Sequence, residues 1–438
     1  MSMIPTESDL EFLVLEFLKA EGWGVVFGPD IAPGEPGEER TDYRDVVLVG
    51  RLRTAVTELN PFLPHDAVED VVKTVLRAES QVVMTENWRA YQLLTEGVPV
   101  QFRDASGAIK DARARIVDWD EPTKNNLVAI NQFTIKGKSE RRPDVLLFVN
   151  GLPLVLFELK RAGAKNATLR GAFNQIGTYR NQIPDVFTWT QITVISDGVN
   201  ARAGTFTAGW EHYAPWKTID GTSLPKGVSE IEVLTKGMLA PERLLDLVRN
   251  FVVYTGDGAA MVKKTAKYHQ YWAVNKAVLS TVEAVEGDGR AGVVWHTQGS
   301  GKSLEMEWYA GKIMRHPAME NPTIVVLTDR NDLDDQLFDD TFAASKPGAP
   351  LPEPPVQADS REHLKELLAK RQSGGIIFST LQKFGLSKDE KAAGTSFPTL
   401  SERVNIVVMV DEAHRSNYDF IDGIARHLRD GLPNATYI

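Results

Sequence analysis

The stretch His296-Thr-Gln-Gly-Ser-Gly-Lys-Ser303 decides how the second half of this 438-residue chain is interpreted. It follows an apolar run, Ala291-Gly-Val-Val-Trp295, which we predict to be a buried strand, and it precedes a helical pattern that begins near Gly301. A strand, a glycine-rich turn and a helix form the context of a phosphate-binding loop. The backbone N–H groups of such a loop and the positive end of the following helix favour a bound anion. We predict that Lys302 reaches the β- and γ-phosphates and that the Ser303 hydroxyl holds Mg²⁺.

A second motif, Val407-Val-Met-Val-Asp-Glu-Ala-His414, reads as a buried strand that ends in two carboxylates. Asp411 is predicted to hold Mg²⁺, and Glu412 to orient or deprotonate the attacking water. The alternative is that the two acids cap the next helix. In the phosphate-binding loop, His296 stands where the consensus has glycine. Further apolar strands alternate with helical patterns along this half, which predicts a parallel, doubly wound sheet.

The composition is that of a soluble globular protein, with 42% hydrophobic and 25% charged residues. The net charge of −10 means that any nucleic-acid contact must use local basic patches. The chain has no cysteine, which excludes disulfides, thiolate zinc sites and a cysteine nucleophile. No apolar run approaches the roughly 18 residues of a membrane span. We therefore expect a cytoplasmic protein with no membrane partner.

Two apolar runs in the first half, residues 145–149 and 152–160, are joined by Asn150-Gly151. This dipeptide between apolar runs is a strong signal for a β-hairpin. Both runs are hydrophobic nearly throughout, so the hairpin is expected to be buried on both faces.

Three charged residues flank this predicted hairpin: Asp144 before it, and Glu158 and Lys160 at its end. A strict two-residue turn pairs Asp144 with Phe157, on the wrong face, whereas one extra residue pairs it with Glu158. We predict the longer or bulged turn. Two converging carboxylates can then bind Mg²⁺, and Lys160 can position a water or neutralise developing charge. The alternative is a solvated strand end with a surface ion pair.

Residues 136–180 are locally basic, with nine Lys or Arg against three acids, or +6 on a chain of net charge −10. Such a patch suits a phosphate backbone. Within it, Gln175 and Tyr179 are four residues apart on one predicted helix face, where they can flank the carboxylates. The alternative is that both are ordinary surface residues.

Several other segments carry predictions that the structure tests. Residues 6–21 read as a helix, with Ser8 and Glu11 resembling a capping box. Residues 22–45 and the proline-rich 346–360 read as irregular, and 114–119 as a strand. Gln270 precedes the loop by about thirty residues and is predicted either to read an adenine edge or to be a surface glutamine.

Both halves together resemble the restriction (motor) subunit of type I restriction–modification enzymes. The resemblance rests on seven segments in the family's order: Arg142-Pro-Asp144, Phe157-Glu-Leu-Lys160, 175–179, Tyr268-His-Gln-Tyr271, 296–303, 376–384 and 411–414. His296 at the first loop position is typical of these subunits. The resemblance implies an α/β chain in which a PD-(D/E)xK, RecB-like endonuclease domain precedes a RecA-like superfamily 2 helicase lobe with a parallel doubly wound sheet.

By residue matching, the resemblance implies catalytic roles for Asp144, Glu158 and Lys160, with Gln175 and Tyr179 supporting them, and Mg²⁺ on the two carboxylates. It also implies a site for ATP and a second Mg²⁺. The residues of that site are Gln270, Thr297, Gln298, Gly299, Ser300, Gly301, Lys302, Ser303, Asp411 and the catalytic Glu412.

An upstream acid often completes such nuclease sites. The resemblance leaves four candidates unranked: Glu11, Glu16, Glu69 and Asp70.

We expect an endonuclease domain over 1–240 with its core at about 84–215, a connecting helix and linker over 241–261, and a motor lobe over 262–438. The family continues with a Thr-Gly-Thr-Pro-like motif, a second lobe and a helical region. None is in this sequence, so we expect an N-terminal fragment that binds and hydrolyses ATP weakly.

The implied enzyme is an ATP-dependent type I site-specific deoxyribonuclease, which translocates double-stranded DNA and cuts far from its recognition sequence. Its implied partners are double-stranded DNA and the modification (methyltransferase) and specificity subunits. One alternative is a translocase or helicase whose N-terminal domain only clamps DNA. Another is a non-enzymatic, ATP-gated assembly module for the methyltransferase.

Overall fold

A computed structural model describes residues 7–160, 168–328, 337–346, 350–386, 390, 392, 396–411 and 423–438. The chain divides into two compact units, Met1–Tyr268 and His269–Ile438. No helix in the described part of the chain is both long and apolar enough to cross a membrane.

The first unit is built on a six-stranded mixed sheet with the order β1-β4-β7-β8-β9-β10. The described strands of this unit are β1 Gly24–Phe27, β2 Val98–Arg103, β3 Ile109–Ala114, β4 Leu127–Asn131, β5 Ile135–Lys136, β6 Glu140–Arg141, β7 Val145–Val149, β8 Leu152–Leu159, β9 Ile192–Ser196, β10 Ala201–Gly204, β11 Val252–Thr255 and β12 Val262–Thr265. Its described helices are α1 Glu7–Ala20, α2 Val49–Leu59, α3 His65–Leu76, α4 Val83–Glu96, α5 Leu169–Gln182, α6 Glu230–Met238 and α7 Pro241–Asn250.

The central hairpin β7–β8 confirms the prediction made from Asn150-Gly151. Every residue of both strands is buried, because apolar side chains fill both faces of a central sheet strand. Asn150 and Gly151 have φ of +51° and +81°, as a two-residue hairpin turn requires. A Cβ on Gly151 would lie 2.4 Å from the carbonyl oxygen of Leu48, so only glycine fits there.

The predicted pairing of Asp144 with Glu158 is confirmed, but the extra residue lies within β8 and not in the turn, which has only two residues. The register pairs Val149 with Leu152 next to the turn but Val145 with Phe157 at the far end, with a shift between Leu147 and Phe148. The extra residue on β8 moves the rest of that strand by one position relative to β7. Asp144 therefore lies opposite Glu158.

The second unit contains a five-stranded sheet with the order β14-β15-β13-β16-β17, in which all neighbours are parallel. Its strands are β13 Thr323–Thr328, β14 Pro355–Gln357, β15 Ile376–Thr380, β16 Ile406–Val410 and β17 Thr436–Tyr437. The described helices are α8 Tyr268–Val285, α9 Lys302–Arg315, α10 Arg361–Lys370 and α11 Ile424–Gly431. The predicted parallel sheet is confirmed.

The predicted strand at 291–295 is wrong. Ala291 N donates to the carbonyl oxygen of Tyr437 at 2.9 Å, which begins a parallel pairing with β17. Beyond this contact, residues 292–296 form no ladder with any residue that the structure describes. Val293 and Trp295 are 79% and 85% exposed. Hydrophobic character predicted a buried strand, but a strand also needs neighbours for its backbone.

Three smaller predictions are also corrected. Residues 22–45 contain the edge strand β1, and 346–360 contains the edge strand β14. The strand predicted at 114–119 ends at Ala114, because side chains capture the backbone beyond it. Asn60 bonds both N and O of Arg115 at 2.8 Å, and Asp118 accepts from Asp120 N and Glu121 N at 3.1 Å. Such side-chain contacts compete with sheet ladders.

Candidate functional site

Asp144, Glu158 and Lys160 converge at one end of the central hairpin. The backbone N–H of Leu159 donates to Asp144 Oδ2 at 2.5 Å, which ties the first acid to the strand that carries the second. Lys160 Nζ donates to Glu158 Oε1. Glu158 is almost fully buried and the Lys160 side chain is one-quarter exposed, so the cluster opens toward solvent at the lysine.

The negative charges of the two carboxylates repel each other. Burial, followed by the charge of Glu158, raises the pKa of Asp144 from 3.8 to about 8. The hydrogen bond from Leu159 and the charge of Lys160 lower that pKa and only partly offset the rise. A raised pKa at one of two neighbouring acids marks a site that gains from an added positive charge.

Helix α5 supplies the supporting residues that the sequence predicted. Its N-terminus is capped by Thr168, whose side-chain oxygen accepts from Gly171 N at 3.1 Å. Tyr179 OH donates to Glu158 Oε2 at 2.8 Å. Burial and the charge of Glu158 raise the pKa of Tyr179, so the phenol remains a donor, while a hydrogen bond with Gln175 opposes that rise. Both predicted residues are therefore linked to Glu158, one directly and one through Tyr179.

Among the four upstream acids, the structure brings Glu11 to the carboxylate pair. Its side chain is buried and accepts from Gln132 Nε2 at 2.7 and 2.8 Å and from Asn131 Nδ2 at 3.3 Å. Gln132 N in turn bonds the carbonyl oxygen of Asp144. The charge of Glu11 also contributes to the raised pKa of Asp144.

The other three acids are engaged elsewhere or exposed. Glu69 pairs with Arg53 at 2.5 Å, Asp70 pairs with Lys73 at 3.0 Å, and Glu16 is exposed on α1.

The capping box predicted for Ser8 and Glu11 is wrong, because α1 begins at Glu7 and the Glu11 carboxylate is used at the site. A sequence signal did exist. Glu11 shares the helical spacing of the buried Val14, Leu15 and Leu18, and a carboxylate in an apolar stripe needs a partner inside the fold.

The donor set of Asp144 and Glu158 fits Mg²⁺, a hard cation that takes one or two carboxylates and keeps several waters. The raised pKa of Asp144 fits as well, since a bound cation would replace its proton. Among the described residues, no group of three or more His, Cys, Asp or Glu side chains forms a complete metal-ligand set.

The phosphate loop in the second unit has the backbone that its glycines allow. Gly299 and Gly301 have φ of +79° and +91°, and Ser300 N donates to the carbonyl oxygen of Thr297 at 3.2 Å. Helix α9 begins at Lys302 with Gly301 as its N-cap. Lys302 Nζ reaches back to the carbonyl oxygen of His296 at 3.4 Å.

Gln270 contacts this loop. Its buried side-chain amide donates to the carbonyl oxygens of Ser300 at 3.1 Å and Gly301 at 3.4 Å. A Cβ on Gly301 would lie 2.5 Å from Gln270 Nε2, so the glycine allows the amide to approach. The surface-glutamine alternative is excluded, while the adenine contact stays a prediction.

The structure adds one contact that sequence reasoning missed. His296 Nδ1 lies 2.8 and 2.9 Å from the two carboxylate oxygens of Glu305, and His269 packs edge-on against the His296 ring. Burial raises the pKa of Glu305, and the hydrogen bond with His296 opposes that rise. The sequence signal was His296 itself, which stands where the general loop consensus has glycine. The separation of nine residues from Glu305 matches no helical pair.

A cavity of about 480 Å³ adjoins the loop. Its polar lining includes Thr297, Gln298, Lys302 and Asp411, and Asp411 follows β16 with its N–H donating to Leu327 O at 2.8 Å. Ser303 is exposed in the first turn of α9. The predicted Glu412 lies outside the described residues.

Comparison with known proteins matches both parts of the chain. Residues 4–212 match the family described as type I restriction enzyme R protein N terminus, and residues 269–438 match the SWI2/SNF2 ATPase family. The HindI endonuclease subunit of a type I restriction enzyme from Haemophilus influenzae is 43% identical over 99% of this chain and 42% of its own length.

A Methanocaldococcus jannaschii relative, named only provisionally as the MjaIXP endonuclease subunit of a type I restriction enzyme, is 32% identical over 98% of this chain and 41% of its own length. The chain thus spans about two-fifths of the curated relatives it matches. With an R-protein N-terminal region followed by an ATPase region, the chain belongs to the family of type I restriction enzyme endonuclease subunits.

Proposed function

We propose that this chain carries the nuclease site and the first motor lobe of an ATP-dependent type I restriction endonuclease. In this proposal the N-terminal unit is a PD-(D/E)xK nuclease. The assembled enzyme translocates double-stranded DNA with ATP and then cuts it at non-specific sites far from the recognition sequence. Modification and specificity subunits supply recognition and methylation. The observation that carries the proposal is the bulged register that brings Asp144 to Glu158 and Lys160.

The proposed role of each nuclease residue follows from its position in the cluster. Asp144 and Glu158 would hold Mg²⁺, which polarises a phosphodiester and lowers the pKa of a bound water. Lys160, at the open side of the cluster, positions the attacking water or stabilises the charge that develops on the phosphate. Tyr179 and Gln175 keep the Glu158 carboxylate oriented, and Glu11 adds negative charge behind Asp144.

The motor residues surround the loop. The backbone of Gly299, Ser300 and Gly301 and the N-terminus of α9 would hold the ATP phosphates, with Lys302 on the β- and γ-phosphates. Ser303 and Asp411 would hold the Mg²⁺ of ATP, and Glu412 would orient the attacking water. Thr297 and Gln298 line the adjoining cavity.

Gln270 would recognise adenine while its amide touches the loop backbone.

The proposal is tested by DNA cleavage in the complete enzyme, assembled with its modification and specificity subunits. Unmodified circular DNA is incubated with ATP, with and without Mg²⁺, beside a Glu158→Gln variant. We expect double-strand breaks only with ATP, Mg²⁺ and Glu158. An enzyme that hydrolyses ATP on DNA but never breaks it would instead be a translocase whose N-terminal unit only clamps DNA.

A further inference from the structure

Three arginines beside the nuclease candidate rest on aromatic rings. Arg170 lies 5.1 Å from the ring centres of both Phe173 and Trp210, and Arg202 lies 5.1 Å from the Trp210 ring. Arg180 lies 5.9 Å from the ring of Phe206. A guanidinium that stacks on a ring is held in a fixed plane and still exposes N–H groups at its edge.

Among the residues that the structure describes, these arginines have no carboxylate partner. Within the part of the chain that the structure describes, no Asp or Glu oxygen lies within 4.0 Å of Arg170, Arg180 or Arg202. Elsewhere in the same unit, arginines do find acids, as in Arg51 with Glu39 at 2.5 Å and Arg89 with Glu86 at 3.0 Å. The three charges therefore have no acidic partner in the described part of the chain, although the whole chain is acidic.

The rings that carry the arginines are themselves fixed by the fold. Phe173 packs edge-on against Trp210 and Tyr213, with ring centres 5.7 and 5.2 Å apart. Tyr213 is buried and shares a hydrogen bond with Thr193 of β9. Because the sheet anchors this aromatic cluster, the arginine planes are placed before any ligand arrives.

Helix α5 joins this cluster to the nuclease candidate. Arg170, Phe173, Gly177 and Arg180 recur at the spacing of one helix face, while Gln175 and Tyr179 lie on the face toward Glu158. The ten residue-to-residue steps from Arg170 to Arg180 span about 15 Å of helix axis. Duplex DNA places a phosphate on each strand about every 3.4 Å of its axis, so this length covers several phosphates.

Gly177 provides an independent indication of a close ligand. A glycine inside a helix is less favourable than alanine, and intramolecular packing gives no reason for it here. A Cβ at Gly177 would meet no atom within 4 Å, and its φ is not in the left-handed region. Its position between Phe173 and Arg180 leaves a gap through which a backbone can approach the helix.

We propose that the arginine–aromatic stripe, made of Arg170, Phe173, Gly177, Arg180, Arg202 and Trp210, binds the sugar-phosphate backbone of duplex DNA beside the cutting position. Paired guanidinium N–H groups match phosphate oxygens. The inference rests on the proposed function, because it takes DNA as the ligand of this unit. It adds the path by which the duplex passes α5.

The test is binding of a short fluorescent DNA duplex, measured by anisotropy in EDTA so that no cleavage occurs. Arg170→Gln and Arg202→Gln are each expected to weaken binding about 3- to 10-fold and to lower the salt slope by about one. Arg170→Lys keeps the charge without the stacked plane and should fall between wild type and Arg170→Gln. The matched control is Arg103→Gln, an exposed arginine on β2 whose guanidinium bonds Gly107 O.

Gly177→Ala is a variant whose effect cannot be explained by misfolding, because alanine favours the helix and the variant should be at least as stable as wild type. We expect it to weaken DNA binding nonetheless. The inference is overturned if the Arg170 and Arg202 variants keep the salt slope of the Arg103 control, or if Gly177→Ala binds like wild type.

The two proposals fail separately. Cleavage that needs Glu158 together with unchanged binding by the arginine variants would overturn the stripe alone. Weakened binding by those variants in an enzyme that never cuts would overturn the nuclease assignment and keep the stripe.

Discussion

The nuclease candidate and the phosphate loop differ in how completely the surrounding sheet supports them. β4 pairs with all of β7, β9 pairs with Val155–Leu159 of β8, and every residue of β7 and β8 is buried. Residues 292–296, which lead into the phosphate loop, have no ladder partner among the described residues, and Trp295 is 85% exposed. A motif on an interior hairpin is positioned by its own register, whereas a loop after a strand depends on the strands beside it.

The comparison predicts its largest effect at the hairpin. Glu158→Gln keeps the size of the side chain and removes its charge, so cleavage by the assembled enzyme should fall by about 10²- to 10⁴-fold, the range of a lost catalytic group. Gel assays of DNA breakage give the measurement, with Glu140→Gln on the exposed β6 as the control. Cleavage within threefold of wild type would remove Glu158 from the chemistry.

A substitution in the phosphate loop is expected to strongly reduce ATP hydrolysis without changing metal binding at the hairpin. Lys302→Ala removes the cation predicted to hold the ATP phosphates, and ATP hydrolysis should fall by about 100-fold, similar to other single electrostatic groups in active sites. Steady-state phosphate release measures this, with Lys370→Ala on the exposed end of α10 as the control. Mn²⁺ binding at the carboxylate pair should not change. If hydrolysis persists, the ATP site is not built around Lys302.

The raised pKa of Asp144 gives the hairpin a pH dependence that the loop should lack. The ordinary value is 3.8 and the folded value about 8, so between these pH values the folded site holds a proton that the unfolded chain has released. The stabilising contribution of this proton is complete below pH 3.8 and is lost as the pH rises through about 8.

A cation must displace that proton, so Mn²⁺ affinity should rise by up to about tenfold per pH unit and level off near pH 8. Calorimetric titration of the wild-type chain measures this, and Asp144→Asn should bind weakly at every pH. Asp111→Asn on the exposed β3 is the control. A flat affinity between pH 5 and 8 in the wild type contradicts the assignment.

The smallest effect separates two glycines of the loop. Both Gly299 and Gly301 have positive φ, so alanine strains each backbone by about 1–2 kcal/mol. Only at Gly301 does the new Cβ also approach Gln270, at 2.5 Å, whereas at Gly299 it meets nothing within 4 Å. Nucleotide titration should therefore show Gly301→Ala weaker than Gly299→Ala by about tenfold, or 1.4 kcal/mol. Equal losses would mean that the Gln270 contact has no role in nucleotide binding.

The sequence predicted the features that follow from local rules. Alternation along a strand places Glu158 and Lys160 on one face, and the need to bring Asp144 to them implied one extra residue in the hairpin, which the register shows within β8 and not in the turn. The parallel sheet of the second unit followed from alternating strands and helices.

What the sequence could not supply depends on distant partners. The run at 291–295 is hydrophobic enough for a strand, but the backbone contact that Ala291 makes is with β17, more than 130 residues later. Glu11 was predicted to belong to a helix cap because Ser8 stands three residues before it. Its carboxylate instead accepts a hydrogen bond from Gln132, which lies 121 residues away. The contact of His296 with Glu305 follows no helical or strand spacing.

The central claim is that Lys160 belongs to a cutting site distinct from the motor. The most direct measurement follows DNA breakage and ATP hydrolysis together in the assembled enzyme carrying Lys160→Ala, with Lys110→Ala on the exposed β3 as the control. We predict that Lys160→Ala hydrolyses ATP at the wild-type rate and makes no double-strand breaks. A Lys160→Ala enzyme that cuts DNA as the wild type does would contradict the account, because the cutting site would then lie elsewhere.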